Sequence, residues 1–175
     1  MLWIADSFEA IRDFMNLGGP VLKVIAITIL LMGVVIVERL VYFRTSMNEM
    51  SRMIHDQWES RSERQSWNSA QIRELMISQF SEATNKGINL IQTLVALCPL
   101  LGLLGTVTGM ISVFQVMAVS GSGNVRAMAA GVSQATVPTM AGMVGALSGV
   151  LLVTLLTRRA AREVEFLEDS LTMDH

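Results

Sequence analysis

Residues 90–119 read LIQTLVALCPLLGLLGTVTGMISVFQVMAV, and residues 127–157 read AMAAGVSQATVPTMAGMVGALSGVLLVTLLT. Neither stretch contains Asp, Glu, Lys, Arg or His. About 20 apolar residues in a helix cross the hydrocarbon core of a bilayer. Helices of roughly thirty residues must therefore tilt or project beyond it. Between the two runs, Ser120-Gly121-Ser122-Gly123-Asn124 and the single cation Arg126 form a short turn, so the two helices form a hairpin. That hairpin decides the fold class: an all-α integral membrane protein.

A third apolar run follows the Gly18-Gly19-Pro20 breaker, from Val21 through Val37 and on to about Phe43. Lys23 near its start has a stem long enough to reach the interface. Glu38, Arg39, Tyr42 and Arg44 mark the membrane exit. The expected organisation is an interfacial amphipathic helix over 1–19, spans over 20–43, 90–119 and 127–157, a helical segment over 44–89, a turn over 120–126 and a helical tail over 158–175. Leu2, Ile4, Phe8, Ile11, Phe14 and Met15 approximate one apolar face of the first helix, with Trp3 suited to interfacial depth. Packing of that helix on a partner subunit is the alternative reading. Asp6, Glu9 and Asp13 replace the basic leader that a cleaved signal needs.

Orientation follows from the basic residues. Arg44, Arg52, Arg61, Arg64, Arg73 and Lys86 lie in the middle segment, and Arg158, Arg159 and Arg162 follow the last span. The positive-inside rule predicts a cytoplasmic 44–89 segment and tail, with the N-terminus and the 120–126 turn on the periplasmic face of a bacterial inner membrane. Within the middle segment, Met50, Met53, Ile54 and Trp58, then Ile72, Leu75, Met76 and Phe80, form helical apolar stripes that read as packing faces. The serine-rich 60–70 stretch is the expected bend. Val164, Leu167 and Leu171 suit a helix–helix seam in the tail.

Composition excludes several function classes. Mean hydropathy is +0.49, 51% of residues are hydrophobic and the net charge is −2, so nothing points to nucleic acid. One cysteine, Cys98, permits no internal disulfide. His55 and His175 have no metal-binding neighbours in sequence, and no cofactor motif is visible. With no nucleophile–base pair or phosphate loop, the chain does not read as an enzyme.

The long helices carry small residues at helical spacing: Gly102, Gly105 and Gly109 on one, Gly142, Gly145 and Gly149 on the other. Such residues mark close helix contacts in lipid, either within one subunit or between subunits around an axis. Thr106, Ser133, Thr136 and Thr139 decorate the same helices; hydroxyls there commonly bond the carbonyl one turn back. Gln134 has more hydrogen-bonding capacity to satisfy and should face protein or water. Pro138 within the helix frees the Gln134 carbonyl and predicts a kink. Gln134, Pro138 and Thr139 thus read as a polar patch near mid-membrane. A proton relay needs a titratable group at depth, and these helices have none, so a partner must provide it.

Several of these motifs resemble one family. Gly18-Gly19-Pro20-Val21, Glu38-Arg39, the run Leu101-Gly102-Leu103-Leu104-Gly105-Thr106-Val107-Thr108-Gly109-Met110, and the run from Gly131 through Ser133, Gln134, Thr136, Pro138 and Thr139 to Gly142 resemble the ExbB/TolQ/MotA group. The compact chain and its Gly-Gly-Pro start look most like ExbB. The resemblance implies a homopentamer around a central pore that encloses the single spans of an ExbD-like dimer. Its aspartate would carry the proton, and the work would pass to a TonB-like protein energising outer-membrane uptake of iron–siderophore or cobalamin. It further implies that Thr106 and Thr139 line the pore, and that Gln134 stands where many relatives have glutamate. Pro138 also departs from the family's usual small or aliphatic residue. The alternatives are a TolQ-like subunit of envelope maintenance and, from other classes, a membrane scaffold or a small-solute transporter. Missing charged binding groups and the absence of inverted repeats count against the transporter.

Overall fold

Gly18 and Gly19 end one helix and start the next. The Gly18 amide donates to the Phe14 carbonyl at 3.2 Å, and Gly19 takes φ +66, a left-handed conformation natural to glycine at a helix end. Pro20 then sits in the first turn of the following helix, where a missing N–H costs little. The computed structural model describes residues 2–60, 66–120 and 125–171, with the side chains of 2–8, 48 and 120 left aside. Over these residues the chain is entirely helical: α1 (Leu2–Leu17), α2 (Gly19–Glu59), α3 (Trp67–Asn85), α4 (Ile88–Ser120) and α5 (Val125–Ser170). Residues 61–65, in the stretch expected to bend, and residues 121–124, in the expected hairpin turn, lie outside the described residues. So do the side chains of Leu2, Trp3, Ile4 and Phe8, and residue His175.

Local chemistry sets the remaining boundaries. Ser66 caps α3, its hydroxyl accepting from the Ser69 amide at 3.3 Å. Lys86 closes α3 by donating to the Glu82 carbonyl, and Gly87 at φ +86 turns the chain into α4. Pro99 lies inside α4, which runs from Ile88 to Ser120.

Among the described residues, three helical segments are long and apolar enough to cross a membrane: Gly19–Glu59, Trp67–Val119 and Val125–Ser170. The second joins α3 to α4 across the Lys86-Gly87 turn, and its charge-free part belongs to α4. In each, only 28% of the most apolar stretch is buried by the rest of the chain. Leu30, Val34, Leu103, Phe114, Leu147 and Leu151 are among the large apolar side chains left exposed. A helix apolar all round yet buried on one stripe is built for lipid or for other subunits.

The chain divides into two compact units. The first takes residues 1–33 and 93–150, and buries Leu22, Ile25 and Met32 of α2, Val95, Cys98 and Val113 of α4, and Ala135 and Ala146 of α5. The second takes residues 34–92 and 151–175. Its core holds Phe43, Met47 and Trp58 of α2, Met76 and Phe80 of α3, Ile88 and Ile91 of α4, Leu156 and Leu167 of α5, and Leu171 just beyond it. The buried positions recur every three or four residues along each helix, the spacing of side-by-side helix packing.

Candidate functional site

The hairpin of α4 and α5 is held by backbone approach. A Cβ added at Gly109 would lie 2.5 Å from the Ala135 Cα, and one at Gly142 would lie 2.5 Å from the Cys98 carbonyl oxygen. No side chain of any size fits where the obstacle is backbone. Gly102 faces the Thr139 backbone, and Gly131 faces Val113. Gly145 and Gly149 turn toward α2, against Ile29 and Met32, with Val95 of α4 also at Gly149. All six glycines that the sequence singles out on these helices therefore face neighbours within the same chain.

Pro138 has a specific partner in this arrangement. Its ring is fully buried and fills the notch at Gly105, where an added Cβ would lie 2.5 Å from the Pro138 Cβ. The helix continues through it without interruption from Val125 to Ser170.

The hydroxyls divide into two kinds. Thr106 donates to the Leu103 carbonyl at 2.6 Å, and Thr136 to the Val132 and Ser133 carbonyls at 3.1 and 3.2 Å, all within their own helices. Thr139 instead crosses the hairpin, donating to the Gly102 carbonyl at 2.9 Å, with the Ala135 carbonyl of its own helix at 3.4 Å. A hydroxyl whose hydrogen is fixed on a carbonyl still presents oxygen lone pairs as acceptors. Thr106 and Thr139 are both half-buried, as is Ser133, while Thr136 is exposed.

Gln134 faces a different neighbourhood from Thr139. Its amide nitrogen lies over Gly19, where any Cβ would come within 2.5 Å of it. It lines a cavity of about 400 Å³ together with Asn16 and Ser112, near Gly131 and Ala130. The polar patch expected from sequence is thus split: Gln134 joins the α1–α2 turn, Pro138 plugs Gly105, and Thr139 ties α5 to α4.

Two arginines matter more than sequence patterns reveal. Arg39 is buried to 8% exposure, its guanidinium 5.2 Å from the Tyr42 ring centre and 3.9 Å from Glu38. It lies against Gly87, where an added Cβ would fall 2.5 Å from Nε, and that Nε has no hydrogen-bond partner. Arg73 donates from Nε to the Leu171 carbonyl and from Nη2 to the Glu168 carbonyl, each at 2.7 Å, so it caps the end of α5. Among the described residues no cluster of His, Cys, Asp or Glu could hold a metal ion.

The sequence of residues 42–169 matches the model of the MotA/TolQ/ExbB proton channel family. The chain belongs to that family. The match covers most of the molecule, including all of the charge-free hairpin. Among curated proteins it is similar to a putative biopolymer transport protein ExbB-like 1 of Synechocystis sp. (strain ATCC 27184 / PCC 6803 / Kazusa), 36% identical over 84 residues. That alignment spans 46% of this chain and 33% of the relative's length. As a member of the MotA/TolQ/ExbB family with three apolar spans, the chain is a multi-pass membrane protein.

Proposed function

We propose that this chain is an ExbB-like subunit of an inner-membrane motor that uses the proton gradient to energise outer-membrane uptake of iron–siderophore or cobalamin. One observation carries the reading: in a member of a proton channel family, the two long apolar runs 90–119 and 127–157 contain no titratable carboxylate, histidine or lysine. The proton-carrying aspartate then belongs to an ExbD-like single-span partner, enclosed by a homopentamer of this chain. Thr106 and Thr139 present acceptor lone pairs to that aspartate, and Ser133, Thr136 and Gln134 complete the polar path. The N-terminal segment takes the periplasmic side and the C-terminal tail the cytoplasmic side. The exposed apolar faces on α2, α4 and α5 supply the surface for lipid and for neighbouring subunits. Work passes on through a TonB-like protein.

A TolQ-like subunit would use the same parts; the ExbB-like name of the matched relative favours the first reading. The test is native mass spectrometry of the detergent-extracted protein with and without a single-span partner bearing a membrane aspartate. A five-fold assembly retaining two partner chains is the expected result. A monomer or dimer indifferent to the partner would overturn the motor and bring the transporter reading forward.

A further inference from the structure

A cavity of about 580 Å³ opens where the charge-free run of α5 ends. Its apolar lining is Ile36 and Leu40 of α2 with Leu152, Leu155 and Leu156 of α5. The same cavity is lined by Arg158, Arg159, Arg162 and Glu163, the next residues along α5. At 1.5 Å rise per residue, the leucines and the arginines occupy successive levels along the helix axis. Leu155 is 64% exposed, and the three arginines are exposed as well, so none of the described residues fills the groove.

The chemistry of the two levels specifies the occupant. Leucine walls continuous with a charge-free membrane helix belong at hydrocarbon depth. Three guanidiniums opposed by one carboxylate belong at the headgroup level, where a phosphodiester accepts paired N–H bonds from arginine. A water-soluble anion would leave the leucines bare, and a simple apolar chain would leave the guanidiniums unmatched. A zwitterionic lipid brings a second cation to a site already rich in them.

We propose that this groove is a binding site for one anionic phospholipid, with an acyl chain along Ile36, Leu152 and Leu155 and its phosphate held by Arg158, Arg159 and Arg162. Basic pockets between membrane helices recognise anionic headgroups in this way. The site is independent of the proton reading, because neither Thr106, Thr139 nor Gln134 takes part in it.

The test uses the full-length protein in its native oligomer, incubated in mixed micelles with dioleoyl phosphatidylglycerol or dioleoyl phosphatidylcholine, and counts retained lipid by native mass spectrometry. The parent protein should retain the anionic lipid on the order of a hundredfold better than the zwitterionic one, with preference falling on the order of fivefold for each arginine removed. The variant R158Q/R159Q/R162Q should lose the preference, whereas R44Q/R52Q should keep it. If the triple variant does not fold, Leu155→Trp decides: filling the groove should lower retention of phosphatidylglycerol with no change in oligomer. Equal retention of the two lipids, or retention unchanged by Leu155→Trp, overturns the proposal. So does a parent protein that retains inorganic phosphate or an acidic protein there in place of lipid.

Discussion

Thr139 and Gly102 are joined across the hairpin by a 2.9 Å hydrogen bond from the threonine hydroxyl to the glycine carbonyl. The glycine favours this approach, because a Cβ there would sit 3.1 Å from the Thr139 Cα and the helices would have to give by a few tenths of an ångström. A hydrogen bond between membrane helices contributes about 0.5–2 kcal/mol. Thr139→Val keeps the shape and removes the bond. Thermal unfolding in detergent should move down by a few degrees for Val and stay at the parent value for Thr139→Ser. Under the proposed motor function, energy-dependent uptake should fall sharply in the valine variant with the oligomer intact. Normal uptake would remove Thr139 from the proton path while leaving its structural role.

Glycines that look alike in sequence should behave differently. Gly109 meets the Ala135 backbone at 2.5 Å, so even Gly109→Ala must separate two helices, at a cost of about 1–3 kcal/mol. Gly145 meets the end of the Ile29 side chain at 2.6 Å, which can rotate, so Gly145→Ala should cost less. Gly33 has nothing within 4 Å of its would-be Cβ. Gly33→Ala should be neutral or stabilising by up to about 1 kcal/mol, since alanine is the better helix former. Melting temperatures of the three alanine variants should rank Gly33, Gly145, Gly109 from highest to lowest, and any other order rejects this packing.

Much of the fold was legible in the chain because the membrane imposes a one-dimensional rule. The charge-free runs at 90–119 and 127–157 and the apolar run after Pro20 announce helices by length and hydropathy alone. The partners inside the helix packing were not legible. Gly102, Gly105 and Gly145 have the same local signal, yet they face a threonine backbone, a proline ring and an isoleucine on another helix. Pro138 read as a source of an unpaired carbonyl, but in the fold its ring is also a plug for Gly105. The Arg73 cap joins residues 98 positions apart, with no periodic or motif signal to connect them. Gly18-Gly19-Pro20 read as a breaker, and that local reading could not show that Gly19 would lie beneath Gln134.

That last pair should be energetically coupled. Gly19 at φ +66 disfavours any L side chain by roughly 1–2 kcal/mol, and its would-be Cβ also collides with the Gln134 amide. Gly19→Ala combines both penalties. Gln134→Ala removes the collision but not the backbone strain. In a double-mutant cycle the combined variant should therefore be less destabilised than the sum of the single changes, by about 0.5 kcal/mol or more. Additivity within error would show that the Gln134 amide turns aside freely, toward the cavity it shares with Asn16 and Ser112.

Arg73 offers a prediction that separates charge from geometry. Its Nε and Nη2 reach two carbonyls three residues apart at the end of α5, at Leu171 and Glu168, each at 2.7 Å. Its ion pair with the Glu168 carboxylate is 3.9 Å long and that carboxylate side chain is 54% exposed, so it contributes little. Arg73→Ala leaves the terminal carbonyls to water, and should cost about 1–2 kcal/mol after allowing for partial solvation. Arg73→Lys keeps the charge but cannot present two N–H groups in a fixed fork, so it should recover less than half of the loss. Glu168→Gln should be close to neutral, because the bond at that residue is to its backbone. Hydrogen exchange of the last turn of α5 reads all three: protection near Leu167 to Leu171 should drop most for Ala, less for Lys and hardly at all for Gln. Full rescue by lysine would mean that charge near the helix end, rather than the two directed bonds, holds the terminus in place.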